Sequence, residues 1–272
     1  MLHLKNIKKM LNNSMEGTNK LRMYEEDTPQ YHLYKEMHEN QTYDFVVSKR
    51  KEYGSCWKTK MTINKALSLL DDYIDPSDPD LDVPNSIHAY QTAERIRRKF
   101  PEDKEFQIIG LIHDVGKVLF SFGEPSWAVV GDTYVLGCEF PKTIVYYDTL
   151  KGSPEYEKYD KLGLYKPRCG LDNLMISYGH DEYLYNVLKK NRNHFLSDKY
   201  LDVIRYHSFY PWHTEGEYSH FMNKKDEDTL KNVLEFNKFD LYSKEDDILI
   251  DKHVKSYYED ILNEYFFGEL SW

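Results

Sequence analysis

Apolar positions recur at helical rather than strand spacing along most of the chain. Within TINKALSLLDDY, Ala66, Leu67, Leu69 and Leu70 mark a helix over 62–73, and the stretch from Tyr31 to Lys51 reads as another. Pro76, Pro79 and Pro84 hold an extended loop, after which Asn85 or Ser86 caps a helix running to about Phe100. The next helix starts near Asp103 and aligns Phe106, Ile109 and His113 at spacings of three and four. Further faces are Ile176, His180, Leu184 and Val187, then Tyr200, Ile204 and His207, then Leu230, Val233, Asn237 and Asp240. Trp127 to Leu136 and Thr143 to Tyr147 are richer in β-branched and aromatic residues and predict a short hairpin near Gly131-Asp132. The pattern therefore predicts an all-α bundle with at most a small β-hairpin, in one domain over 21–272 behind a loosely held tail over 1–20.

Six inward positions carry groups that do not belong in an apolar core: His88, His113, Asp114, His180, His207 and Asp240. The adjacent His113 and Asp114 cannot both lie on an apolar face, and Asp240 falls on the stripe of Leu230 and Val233. Burying an uncompensated charge costs several kcal/mol or forces a pKa shift. Two metal ions sharing Asp114 would satisfy the whole set, with nitrogen and oxygen donors suited to iron, manganese or zinc. His3, His32, His38, His194, His213, His220 and His253 show no such partner pattern and read as ordinary surface or core histidines.

Charge narrows the partners. The 272 residues include 46 acidic and 36 basic ones, a net charge of -10, which argues against nucleic acid or an anionic membrane surface as a partner. No apolar run approaches the roughly 18–20 residues of a membrane span. The opening MLHLKNIKKMLNNSMEG has neither a continuous apolar region nor a small-residue cleavage site, so a cytoplasmic protein is expected; a monomer is expected as well. Cys56, Cys138 and Cys169 are widely spaced, without a CxxC, and read as reduced packing residues. The 24 tyrosines imply broad aromatic packing with phenols in need of partners.

A histidine, a later His-Asp pair and a distant aspartate on successive helices resemble the HD-domain superfamily, and GLIHDVGK resembles it closely. The further segments DLDVPNSIHAYQTAERIR, FGEPSWAVVGDTYVLGC, LGLYKPRCGLDNLMISYGHDEYLY, RYHSFYPWHTEGEY and EFNKFDLYSK are similar, in order and at compatible spacing, to the myo-inositol oxygenases. That likeness runs from about Arg22 to the final Trp272.

The resemblance implies an oxygenase that opens the ring of myo-inositol with O2 as co-substrate to give D-glucuronate, the first step of inositol catabolism. It implies two iron ions per chain, Fe(II) and Fe(III) in the active form. One would be held by His88, His113 and Asp240, the other by His180 and His207, with Asp114 bridging. It further implies substrate contacts from Arg22, Asp75, Ser77, Lys117, Gly131, Asp132, His207 and Ser208. Lys117 and Asp114 would act in catalysis, Lys117 as a cation beside a developing alkoxide; read without the resemblance, Lys117 is a solvent-facing lysine near a helix end. Inositol is an uncharged polyol, so carboxylates and hydroxyl donors suit it and the acidic net charge is no obstacle. Pro76 departs from the family, standing where an acidic residue is expected. The alternatives are a metal-dependent phosphohydrolase of the same fold and a related di-iron oxygenase acting on another substrate.

Overall fold

The computed structural model describes residues 28–77, 84–240 and 248–272. The 1–20 tail and Arg22 therefore lie outside the described residues. Helices dominate what is described: α1 (Pro29–Asn40), α2 (Tyr43–Tyr53), α3 (Ile63–Leu69), α4 (Asn85–Lys99) and α5 (Lys104–Ile112), then α6 (His180–Lys190), α7 (Asp198–Tyr206), α8 (Tyr210–His213), α9 (Lys224–Asp240) and α10 (Lys252–Tyr265). Between α5 and α6 the chain makes a 3-10 stretch (Val115–Phe122) and a long region of turns.

Polar caps set several boundaries that periodicity could not. The helix expected over Tyr31–Lys51 is two, because Thr42 accepts a hydrogen bond from the Phe45 N–H and opens α2. Thr28, Thr62, Asp103 and Asp251 cap α1, α3, α5 and α10 in the same way, each satisfying an otherwise orphaned N–H. At α4 the expectation fails: Pro84 occupies the cap position, while the Asn85 amide donates to the carbonyls of Tyr73 and Leu70.

The expected hairpin is absent. Strand β2 (Val135–Leu136) pairs antiparallel with β3 (Met175–Ile176), about forty residues away in sequence, while 143–146 forms turns and Tyr147 opens a 3-10 stretch. Ile176 thus belongs to a strand, and α6 begins only at His180. The other ladder joins β1 (Lys60–Met61) to β4 (Leu270–Ser271). It seats the fully buried Trp272, whose indole N–H donates to the Met61 carbonyl at 3.0 Å. One apolar cluster runs from Leu33 in α1 to Trp272 and includes residues of every long helix.

Two close approaches bring the future site together. A Cβ on Gly110 in α5 would come within 2.9 Å of the Ala93 Cα in α4, so glycine against alanine lets these helices run nearly backbone to backbone. A Cβ on Gly116 would lie 1.9 Å from the His180 carbonyl oxygen. Only glycine permits the 3-10 stretch after Asp114 to touch the start of α6.

Candidate metal centre

All six candidate ligands sit at or near helix ends. His88 lies in the first turn of α4, His113 and Asp114 directly follow α5, His180 opens α6, His207 directly follows α7, and Asp240 closes α9. Arg95 of α4 donates to the Phe239 carbonyl at 3.0 Å, which ties the end of α9 and its aspartate to the helix carrying His88.

The side chains converge around Asp114. Its Oδ1 lies 3.2 Å from His180 Nε2 and 3.7 Å from His207 Nε2. Its Oδ2 lies 3.4 Å from His113 Nε2 and 3.9 Å from His88 Nε2. Asp240 Oδ1 completes the second group, 3.0 Å from His88 Nε2 and 3.1 Å from His113 Nε2. The ligand atoms of His88, His113 and Asp240 fall within 4.8 Å of one another, as do those of His113, Asp114 and His207. One carboxylate thus presents one oxygen to each of two pairs of imidazoles.

Tautomers follow from what the far nitrogens touch. His113 Nδ1 is 2.9 Å from the Gly110 carbonyl, His180 Nδ1 2.8 Å from that of Val129, and His207 Nδ1 2.7 Å from that of Ile204. A carbonyl only accepts, so each Nδ1 carries its proton and each Nε2 lone pair points into the cluster. His180 and His207 bring these atoms to 3.1 Å from each other. Two neutral rings would set lone pair against lone pair there, so the geometry calls for a cation between them. The donor set fits a metal.

Without a metal, the carboxylates favour a proton on His113 and on His180. Burial opposes charging His113, but Asp114 and Asp240 outweigh it and raise its pKa to about 10. Burial likewise opposes charging His180, whose pKa the hydrogen bond and charge of Asp114 raise. Burial penalises the carboxylates of Asp114 and Asp240 too, yet the neighbouring cations hold both well below the usual range.

The expected substrate contacts divide into three groups. Asp75, Ser77 and Lys117 form a chain to the centre: Asp75 Oδ1 accepts from the Ser77 N–H and hydroxyl at 2.8 and 2.6 Å. Lys117 Nζ lies 2.7 Å from Asp75 Oδ2 and 2.9 Å from Asp114 Oδ2. Lys117 is buried, which removes its reading as a solvated helix-end residue. Burial works against its charge, and Asp114 with Asp75 overcomes that and raises its pKa.

Gly131 and Asp132 lie on the strand of chain alongside the centre. Val129 accepts from His180, and the Thr133 N–H donates to the Ser208 carbonyl. Gly131 has φ +106° and a Cβ there would press on Met37; Asp132 accepts from the Tyr34 hydroxyl at 2.8 Å. Ser208 is buried next to His207. Arg22, the remaining candidate, lies outside the described residues.

Some supporting residues escaped sequence reasoning. His213, read as an ordinary histidine, is buried, and its Nε2 donates to the His207 carbonyl at 2.9 Å. Burial lowers its pKa to about 4, so it is a neutral prop for His207. Tyr34, which fixes Asp132, and Asp181, a buried carboxyl beside His180 whose pKa burial raises, gave no signal beyond ordinary helix positions.

Residues 28–272 match the family described as myo-inositol oxygenase. An inositol oxygenase from Danio rerio is 46% identical over 246 residues, covering 89% of this chain and 88% of the relative. One from Mus musculus is 48% identical over 243 residues, 88% of this chain and 85% of the relative. A probable inositol oxygenase from Oryza sativa is 47% identical over 246 residues, with 88% and 80% covered.

Proposed function

The chain belongs to the myo-inositol oxygenase family, and on that premise we propose that it oxidises myo-inositol with O2, opening the ring to D-glucuronate at two iron ions held by the six clustered side chains. His88, His113 and Asp240 would hold one ion and His180 and His207 the other. Asp114 would bridge them. That carboxylate carries the reading, because its two oxygens face two separate imidazole pairs. Bound iron supplies Lewis acidity that lowers the pKa of a coordinated hydroxyl, together with redox chemistry for O2.

The protein's own groups do the rest. Lys117 keeps its proton and offers a fixed cation in a dry setting, where it would stabilise an alkoxide forming on the substrate far better than in water. Asp75 and Ser77 would accept and donate hydrogen bonds to the polyol's hydroxyls, with Gly131, Asp132, His207, Ser208 and Arg22 as further contacts. A phosphohydrolase reading fares worse. A phosphate ester calls for a cluster of lysines and arginines beside the metals, whereas the sequence around the candidate ligands offers Lys117 without such a cluster.

We place residues 21–272 in a single domain and the protein in the cytoplasm as a monomer. Among the described residues no helix is long and apolar enough to cross a membrane. The test of the reaction is direct: iron-loaded protein should consume O2 and form glucuronate when given myo-inositol, and release no phosphate from phosphate esters. Phosphate release without O2 uptake would overturn the assignment.

A further inference from the structure

Behind the paired imidazoles of α6 and α7 stands a second pair of residues that bridges the same two helices. Glu182 lies two residues after His180, and Arg205 two residues before His207. The Arg205 Nε donates to Glu182 Oε2 at 2.7 Å, while the two imidazole Nε2 atoms meet at 3.1 Å. Matching His180 with His207 and Glu182 with Arg205 makes α6 and α7 an antiparallel hairpin in register. Side chains two residues apart on a helix are turned by roughly 200° about its axis. The ion pair therefore bridges the hairpin on a different side from the imidazoles.

This clamp is buried and braced. Arg205 and Glu182 are 7% and 5% exposed, and Arg50 of α2 places Nη2 3.1 Å from Glu182 Oε1. Arg205 Nη1 also donates to Asp172 at 2.7 Å. A planar guanidinium fixed by separate carboxylates has little freedom to slide or tilt. Buried ion pairs are weak contributors to net stability, and their best-attested use is to fix register.

We infer that Glu182 and Arg205 are positioning residues that set the separation of His180 and His207, and hence the affinity of that half of the centre for its ion. The inference rests on the proposal that His180 and His207 hold one of two irons.

Anaerobic Fe(II) titration of the full chain tests it, comparing the parent with Glu182→Gln, Arg205→Lys, Arg205→Met and His207→Ala. Ile261→Ala serves as a control, since Ile261 is buried in α10, a helix that supplies no member of the clamp, and its truncation lowers stability through lost packing. Arg205→Met and Glu182→Gln should weaken one of the two ions by about ten- to hundredfold, the usual effect of losing a support behind a ligand. Arg205→Lys, which keeps the charge but not the fork, should fall between them and the parent. Arg205→Met should cost nothing further in a His207→Ala background, because the ion it supports is already lost. Equal weakening of both ions, no weakening of either, or the same selective loss in Ile261→Ala would overturn the clamp. A parent that binds fewer than two irons would instead remove the two-iron reading, and the clamp with it. Should Arg205→Met not fold, Glu182→Gln and Arg205→Lys carry the same comparison.

Discussion

His180 and His207 hold their Nε2 atoms 3.1 Å apart while the Nδ1 of each is taken by a backbone carbonyl. Neither ring can relieve the contact by changing tautomer without breaking a buried hydrogen bond. The fold thus builds a demand for positive charge at that point, and Asp114 extends the demand to His88 and His113.

Asp114→Ala should release both irons together, because the substitution removes the carboxylate that, among the described residues, faces both imidazole pairs. Iron content by elemental analysis checks this. Retention of two ions per chain would remove Asp114 from the bridge.

Lys117→Met should lower turnover by on the order of a hundredfold, the usual cost of deleting one preorganised electrostatic contact. The structure adds a stability cost. With the ammonium gone, Asp75 and Asp114 face each other without their shared cation, and breaking a buried pair this way costs about 3–5 kcal/mol. Lys117→Met with Asp75→Asn should recover much of that stability without recovering turnover. Turnover within about twofold of the parent at full iron occupancy would rule out the catalytic role of Lys117.

Gly116→Ala should push the start of α6 away from Asp114, since its Cβ would strike the His180 carbonyl. A loss of about 1–3 kcal/mol in denaturant unfolding is expected from the overpacking, with weaker iron binding alongside. Unchanged unfolding and unchanged iron affinity would show that the backbone there adjusts freely.

Much of this was legible in the sequence, and the failures have a common cause. The six side chains that cluster around Asp114 stood out because His113-Asp114 and Asp240 interrupt apolar stripes, a conflict visible without coordinates. The ladders were not legible: β2 and β3 are two residues each and pair across about forty residues, beyond what local alternation reports. Helix ends went astray at Thr42, where a side-chain cap decides, and at Asn85, where Pro84 takes the cap position and the Asn85 amide turns to the Tyr73 and Leu70 carbonyls instead. Lys117 was ambiguous because a lysine after a helix reads as solvated until Asp75, far away in sequence, is brought against it.

Iron binding should release protons near neutral pH. In the metal-free protein His113 keeps its proton up to about pH 10, and the ion must displace it, so apparent iron affinity should rise with pH over that range. Stability should show the matching sign. A raised histidine pKa contributes stability that is full below about 6.5, its unfolded value, and is lost as pH rises toward 10. The depressed carboxyls of Asp114 and Asp240 contribute stability present above about pH 4 and lost as pH falls through their lowered values. Unfolding of metal-free protein across pH 6 to 10, with calorimetry of iron binding in buffers of different ionisation enthalpy, reads both. Iron uptake without proton release at pH 7 would contradict the charge state assigned to His113.

Electron paramagnetic resonance of the iron-loaded protein, before and after anaerobic addition of myo-inositol, tests the shared two-iron centre and its substrate together. A coupled Fe(II)/Fe(III) signal that changes on addition of the polyol is the expected result. A signal from isolated single irons, or a coupled one that myo-inositol leaves unchanged, would contradict the assignment of this centre to inositol oxidation.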